Sequence, residues 1–511
     1  MKKISWISKI STSGGGKNNT TRVSVTSTLP TSDYTDHLAP LRESLKTALT
    51  NNSDTSPYDL SLHDAQGNST SQNTANCYLV SHAGYYSFPL VYGNARKNGA
   101  DNTKAYISEK TGSKVLSTLV NRDDKAISSP YICKEYSGDL TAAVLWSEKK
   151  GIITKVKVVD ADSPEKAKIV FQVPSSTIDL NNAVIALKDA TGYIWSWHIW
   201  ITNSDALKTT SVKNTAGTTY DVANQTLGFH YTKWRETTYK ENRTVYAMFK
   251  QTGKTSLTAV VPITQRPGSE RDGIYTYYQF GRKEAMPGID TDDLKKDGEG
   301  TWSADASWGP HTVGYAISHP ELMLRYPESE KDKADNEKKN TDWCITHYNN
   351  LWSANNTSDI ESKNFDNNIV KTIYDPSPVG FMVPPPDAFS SFTNTTGDTE
   401  KDPTHFNVKG VWDNGWDFYT QGWQTGPTLW FPAEGHRDIE DDNPGLIHQN
   451  VDVNQGVKNR DLDDYAQGSN WCAIPFNYKD GKCLTYRSNA VLKGDNTNRT
   501  EGNAVRCVKE K

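Results

Sequence analysis

Short apolar runs and apolar residues at every second position mark strands through much of the first half of the chain. In Arg22-Val23-Ser24-Val25-Thr26 that period puts both valines on one face of a strand, with Trp6, Ile7 and Ile10 before the turn Ser13-Gly14-Gly15-Gly16. The period then switches. Leu38, Leu41, Leu45, Ala48 and Leu49 recur at helical spacing behind Asp36, whose side chain suits an N-cap. Asn51 to Ser56 is rich in turn formers and reads as a linker. From Tyr58 to about Gln265 the pattern is strands again. Cys77 to Val80, a turn at Ala83-Gly84, and Tyr86 to Tyr92 predict one hairpin. Ala183 to Leu187, a turn over Asp189-Ala190-Thr191-Gly192, and Tyr193 to Ile201 predict another. In its second strand Tyr193, Trp195, Trp197, Ile199 and Ile201 share an apolar face, read as core; His198 lies on the mixed face and reads as structural. Leu257 to Ile263 predicts one further strand.

Beyond Arg266 the texture changes to long loops with many tryptophans. Trp343, His347, Leu351 and Trp352 are spaced as one helical face. Asp387 to Phe392 predicts a short helix behind the prolines 384 to 386, and Ala504 to Val508 a last strand. No repeat of fixed period occurs. These elements predict a mainly β fold with an α+β C-terminal part, in three segments: 1–57, 58–265 and 266–511.

Composition sharpens this picture. The chain of 511 residues has room for two to four domains. Its mean hydropathy is -0.71, yet it carries 15 Trp, 25 Tyr and 13 Phe. Disordered chains are poor in aromatics, so a polar surface over an aromatic interior is expected. The formal charge of -5 comes without a basic stripe, which leaves nucleic acid and anionic membrane no electrostatic footprint. Glu328 to Lys339 alternates in sign and reads as a solvated loop. No run is long enough to span a bilayer. Met1 to Ile10 offers Lys2 and Lys3, but Ser5, Ser8 and Lys9 interrupt the apolar stretch, so no export signal is read there. The expectation is that the natural N-terminus is missing or that the protein leaves the cell by another route. None of the six cysteines forms a CxxC pair. Buried free thiols, or one disulfide among Cys472, Cys483 and Cys507, are both open readings.

Familiar catalytic signatures are absent. Gly16-Lys17, Gly253-Lys254 and Gly481-Lys482 lack the glycine five positions earlier that a phosphate loop needs, and HExxH, GxSxG and GxGxxG do not occur. The acidic runs at Asp290, Asp292 and Asp293, at Glu440 to Asn443, and at Asp461, Asp463 and Asp464 lack EF-hand spacing and read as solvated loops. Glu434, His436 and Asp438 form the most chemistry-like cluster, on a turn after Leu429-Trp430-Phe431-Pro432. The positive signal is aromatic. Trp412, Trp416, Trp423, Trp430 and Trp471 sit among Gly, Asn, Asp and Gln. Sugar C–H faces stack on such rings while amides and carboxylates bond the hydroxyls; for any single one, a place in the core is the competing reading. The expected ligand-binding residues are Trp412, Trp416, Trp423, His436, Asp438 and Trp471, with no catalytic residue and no cofactor, and with metal dependence open.

Several stretches resemble surface proteins of Bacteroidales of the fimbrillin and BACON-domain type. They are Ala75 to Tyr78, Phe88 to Ala95, Trp195 to Trp200 and Tyr278 to Lys283. Trp6 to Thr26 resembles the last strands of a BACON domain. Tyr374 to Phe381, Val383-Pro384, Phe431-Pro432-Ala433, Trp471 to Pro475, Arg499, Gly502 and Val505 to Val508 resemble the Fibrobacter paralogous domain and its C-type-lectin-like relatives. The resemblance implies a partial BACON-like segment with a helix over 1–57, a fimbrillin-like β-sandwich body over 58–265, and a C-type-lectin-like domain over 266–511. That lectin-like family carries Cys where Ser377 stands, so a disulfide from this loop to Cys507 cannot form. The Glu-Pro-Asn and Trp-Asn-Asp calcium motifs are also missing. The function implied is a non-catalytic adhesin of the cell surface that binds a glycan or receptor through loops between about 395 and 500. Two alternatives stand beside it. One is a phage- or element-encoded receptor-binding protein of the virion, for which Asn496, Asn498 and Asn503 are of the type that adenine-directed variation generates. The other is a polysaccharide-acting enzyme with Glu434 and Asp438 as acid and base.

Overall fold

A computed structural model describes residues 6–14, 21–27, 33–64, 66–250, 258–308, 311–325, 342–357, 368–438, 447–448 and 467–511. The fold is mainly β, with short helices and many antiparallel pairings. The loop at 328–339 and the acidic runs at 440–443 and 461–464 lie outside the described residues.

Contacts divide the chain into two units. The smaller comprises Met1–Leu41 and Tyr231–Asp272. In it Ile7–Gly14 pairs antiparallel with Thr21–Ser27, setting Ile10 opposite Val25 and Thr12 opposite Val23. Both valines are half-buried between exposed neighbours, as the alternation requires. Arg243–Lys250 pairs with Thr258–Gln265 in the same way. Glu270 collects the Tyr34 hydroxyl at 2.5 Å, Lys233 at 2.6 Å and Arg235 at 2.7 Å. Despite partial burial, these donors pull its carboxyl down to about 2.

The larger unit comprises Arg42–His230 and Gly273–Lys511. Its centre is the hairpin Asn181–Asp189 and Gly192–Ile201, which the turn chemistry foretold. Gly192 takes φ +142° beside the two-residue turn. One face is apolar and the other mixed, as read, but burial is not confined to the apolar one: Ile194 to Ile201 are all buried. The sheet of which this hairpin is part packs against a second one formed by Thr154–Val159, Lys168–Val173, Gly84–Pro89 and Tyr58–Asp59. Phe88 spans the layers, 5.0 Å from Trp197 and 6.1 Å from Phe171 between ring centroids. Replacing such a ring by alanine costs about 3–5 kcal/mol.

Cys77–Val80 and Gly84–Pro89 do not form the expected hairpin. The first pairs parallel with Gly192–Ile201, the second antiparallel with Lys168–Val173, so the chain crosses between sheets at Ser81 to Ala83. Tyr78 and Phe88 then face each other as stacked rings 5.1 Å apart. Strands also cross the border expected at 265/266. Glu299–Gly300 joins the central sheet, and Thr209–Lys213, Thr219–Ala223, Val508–Lys509 and Phe381–Met382 form another. Gly93 and Asn76 explain one such junction. A Cβ on Gly93 would lie 2.2 Å from the Ile373 carbonyl oxygen, and Asn76 donates to that oxygen at 2.6 Å and to the Asp375 carbonyl at 2.8 Å.

No helix forms over 343–352. Trp343 and Trp352 are buried in turns, where their indole N–H groups serve loop carbonyls: Trp343 that of Phe280 at 2.7 Å, Trp352 those of Tyr374 at 3.1 Å and Arg282 at 3.2 Å. The helices predicted near 38 and 387 are present. Leu38–Leu45 starts on the Asp36 carboxylate, which accepts from the Leu38 N–H at 2.8 Å, and Pro386–Phe392 is a 3₁₀ helix. The strand expected over 504–508 is reduced to Gly502–Asn503 and Val508–Lys509. All six cysteines are buried free thiols. Cys483 stands opposite Trp471 in the ladder, so it is one position out of register with Cys472.

His198 is structural, as its place among core aromatics suggested. Its Nε2 lies 3.0 Å from Asn182 Oδ1 and its Nδ1 3.0 Å from the Tyr278 hydroxyl. Asn182 already donates through Nδ2 to Gly228 and Glu148, so the ring is a neutral imidazole donating from Nε2 and accepting from Tyr278. Burial lowers its pKa to about 3, against 6.5 when free. Between those values only the unfolded chain takes up the proton. Stability from this group is therefore complete above pH 6.5 and declines as the pH falls from 6.5 toward 3, by at most about 1.4 kcal/mol per unit. His198→Gln should be less stable than wild type at pH 7 and lose less on acidification, compared through urea midpoints at pH 7 and 5. Parallel slopes in the two proteins would contradict this account.

Candidate functional site

The tryptophans that looked alike in sequence separate sharply by environment. Trp471 is fully buried, with its N–H on the Tyr278 carbonyl at 2.6 Å. Trp416 is 5% exposed and donates to the Arg487 carbonyl at 2.8 Å. Trp412 is half-buried and packs edge-on to Trp416, 5.3 Å between centroids. These three are core or core-edge rings. Trp423 alone among the five is strongly exposed, at 40%.

Trp423 stands at a cleft of about 470 Å³ built by three segments far apart in sequence. The first is the loop between Thr209–Lys213 and Thr219–Ala223. Asn214 shapes it by accepting from Thr218 N–H at 2.8 Å, and Gly217 supplies φ +87°. The second is the end of the 3₁₀ helix, with Ser391, Thr393 and Asn394. The third is the Trp423 loop itself. Asn407, fully buried, grips it from below: its Oδ1 accepts from Gln424 N–H at 2.7 Å and its Nδ2 donates to the Gly422 carbonyl at 3.1 Å. Hydrogen bonds join the walls. Thr215 N–H donates to Ser390 Oγ at 3.2 Å, Lys213 N–H to the Thr420 carbonyl at 2.8 Å, and the Gln421 amide to the Ser211 carbonyl.

Beneath the cleft, one aromatic core ties the three segments together. It includes Val212, Phe389, Phe392, Phe418, Phe431 and Tyr486, with Phe392 and Phe418 stacked at 4.0 Å. The loop backbones are thus fixed while the indole face stays open to water. Thr215, Thr393, Asn394 and Gln421 bring hydroxyls and amides to the lining. Ser391 adds a buried Oγ that has no hydrogen-bond partner among the described residues. Among the described residues that line it there is no carboxylate.

None of the other five expected ligand residues lines this cleft. His436 and Asp438 sit on and just after the short strand His436–Arg437, which pairs with Gly502–Asn503. His436 Nδ1 lies 2.8 Å from the Gln467 amide. Asp438 acts on Glu501, whose carboxyl burial pushes up to about 8 with Asp438, Asp480 and Asp495 adding to the rise. Among the described residues no group of His, Cys, Asp and Glu could hold a metal ion. Glu434 is fully buried, bound by the Tyr486 hydroxyl at 2.6 Å, Thr226 Oγ1 at 2.7 Å and Asn470 Nδ2 at 3.3 Å. Burial raises its pKa despite these donors, and it has no face toward solvent from which to serve a substrate. Asn503 is 1% exposed within the sheet that holds Tyr278–Gln279, a poor place for a variable contact residue.

No protein-family model matches this chain, and no curated protein or solved structure matches it either.

The contrast between the rings can be measured. Trp416→Ala should lower stability by about 3–5 kcal/mol, whereas Trp423→Ala should stay within about 1 kcal/mol of wild type in urea unfolding. An equal loss for both would mean that Trp423 is a core residue and the cleft no site at all.

Proposed function

We propose that this protein is a non-catalytic recognition protein of a cell surface, an adhesin that binds saccharide in the Trp423 cleft. One observation carries the reading: an exposed indole on a loop tied down by Asn407, flanked by hydroxyl and amide groups. Sugar rings bind such surfaces by stacking their C–H faces and exchanging hydroxyl hydrogen bonds. Loops held on a packed frame lose little freedom on binding, which favours affinity.

The finer assignment, a fimbrillin-type body with a C-type-lectin-like C-terminal part, rests on the sequence resemblance. One contact supports it. Cys507 Sγ lies 3.3 Å from Ser377 Oγ, the position where the lectin-like family carries cysteine. Ser377→Cys should therefore form a disulfide with Cys507, seen in non-reducing peptide maps, and raise the unfolding midpoint; two free thiols persisting under oxidation would count against that kinship.

The saccharide reading is tested with the full chain on a glycan array, followed by titration of the best hits. Trp423→Ala should weaken the leading hit about tenfold or more, roughly 1.4 kcal/mol, with an unchanged unfolding midpoint. Retained affinity in a folded Trp423→Ala variant would move the binding site elsewhere. Release of shortened glycan on prolonged incubation would replace adhesion with hydrolysis.

A further inference from the structure

A second hollow, of about 440 Å³, shares no residue with the Trp423 cleft. Four lysines line it, Lys97, Lys104, Lys371 and Lys511, against a single glutamate side chain, Glu510. Lys371 has only 2% of its side chain exposed, and its ammonium is held by the Pro378 carbonyl at 3.0 Å, the Ser377 carbonyl at 3.4 Å and Glu510 at 3.4 Å. Lys97 binds the other Glu510 oxygen. Between them these two lysines more than neutralise Glu510, and they hold that carboxyl below its usual range although burial opposes it. Lys104 is exposed at the rim and makes no ion pair among the described residues. Lys511 lies over the Tyr220 ring at 4.4 Å. The hollow therefore carries a local excess of positive charge on a chain whose formal charge is -5.

We infer that this lysine-lined hollow is a second binding site, for a small anion-bearing saccharide whose carboxylate or sulfate sits between Lys104, Lys97 and Lys511. Its volume falls within the span of about 300–1,000 Å³ typical of small-ligand sites. Ammonium groups act as point charges on flexible stems, suited to a carboxylate or sulfate without the planar fork of arginine. The amides of Asn102 and Asn368 and the apolar side chains of Ile369 and Met382 complete the lining, a mixture that fits a sugar ring better than a bare inorganic ion. The attraction is local, so it weakens with salt but does not draw polyanions from a distance.

The test uses the full chain and four probes: glucuronate, glucose 6-sulfate, glucose and inorganic sulfate, titrated calorimetrically at low salt and again at about 0.3 M salt. The two charged sugars should bind at least about fivefold more tightly than glucose, and more tightly than inorganic sulfate, with the advantage shrinking in salt. Lys104→Gln should lower the charged-sugar affinity about fivefold without changing the unfolding midpoint. Lys295→Gln, which removes the same charge from an exposed helix elsewhere, should change nothing. Glucuronate binding no better than glucose would overturn the inference. So would inorganic sulfate matching the charged sugars, which would mark an adventitious ion only, or equal loss from Lys104→Gln and Lys295→Gln, which would reduce the effect to overall charge.

Discussion

A strand buried on both faces needs hydrogen-bond partners for the polar groups it carries inward, and Gly192–Ile201 meets that need at Trp195, His198 and Trp200, though not at Trp197 Nε1. Its solution is the neutral His198, bridged to Asn182 on the partner strand and to Tyr278 from the later part of the chain. The chain of contacts continues through Asn182 to Glu148, whose carboxylate meets His230 at 2.9 Å. Four separate stretches are thereby locked in register around one imidazole. Hydrophobic burial supplies most of the driving force, but it is non-directional. This hydrogen-bonded line selects one arrangement among the many that would hide the same tryptophans.

The same need recurs wherever long loops run inside. Loop carbonyls cannot be left dry, and buried guanidinium groups supply donors to them. Arg506 reaches the Ala223, Asn224 and Trp430 carbonyls, Arg499 those of Asn477 and Tyr348, and Arg437 those of Pro287 and Ile289. Side chains that a hydropathy profile would place outside are here the scaffold of the interior. The mean polarity of the chain thus reflects its method of construction as well as its surface.

Local signals in the sequence translated well. The alternation at Val23 and Val25, the Asp36 cap, the turn between the two central strands and the proline-led 3₁₀ helix all rest on interactions within a few residues, so pattern alone revealed them. Long-range choices did not show. Cys77–Val80 is the same apolar run whether it joins Gly84–Pro89 or a strand about 120 positions later, and it takes the later one, with Tyr78 stacked on Phe88 across the layers. The spacing of Trp343 and Trp352 mimicked a helix because apolar residues also recur in turns that wrap a core. Trp416 and Trp423 share similar polar neighbours in sequence; what separates them is whether a carbonyl and packed rings or open water meets the indole. The loop at 214–217 was missed for the same reason. Its turn residues were visible, but their meeting with a tryptophan some two hundred positions away was not.

The sheet that joins Thr209–Lys213, Thr219–Ala223 and Phe381–Met382 places Val508–Lys509 in its interior, between Val222 on one side and Met382 on the other. Two parts of the larger unit, which begins at Arg42, are thus bridged by Val508. Such a ladder cannot assemble before Val508 has been synthesised, long after the strand Thr219–Ala223 that it joins. Until position 508 clears the ribosome, the edges of Thr219–Ala223 and Phe381–Met382 remain unpaired, and unpaired edges invite foreign strands. A chain stalled short of Val508 would leave both of those edges open, an aggregation hazard in spite of the aromatic core already packed behind them.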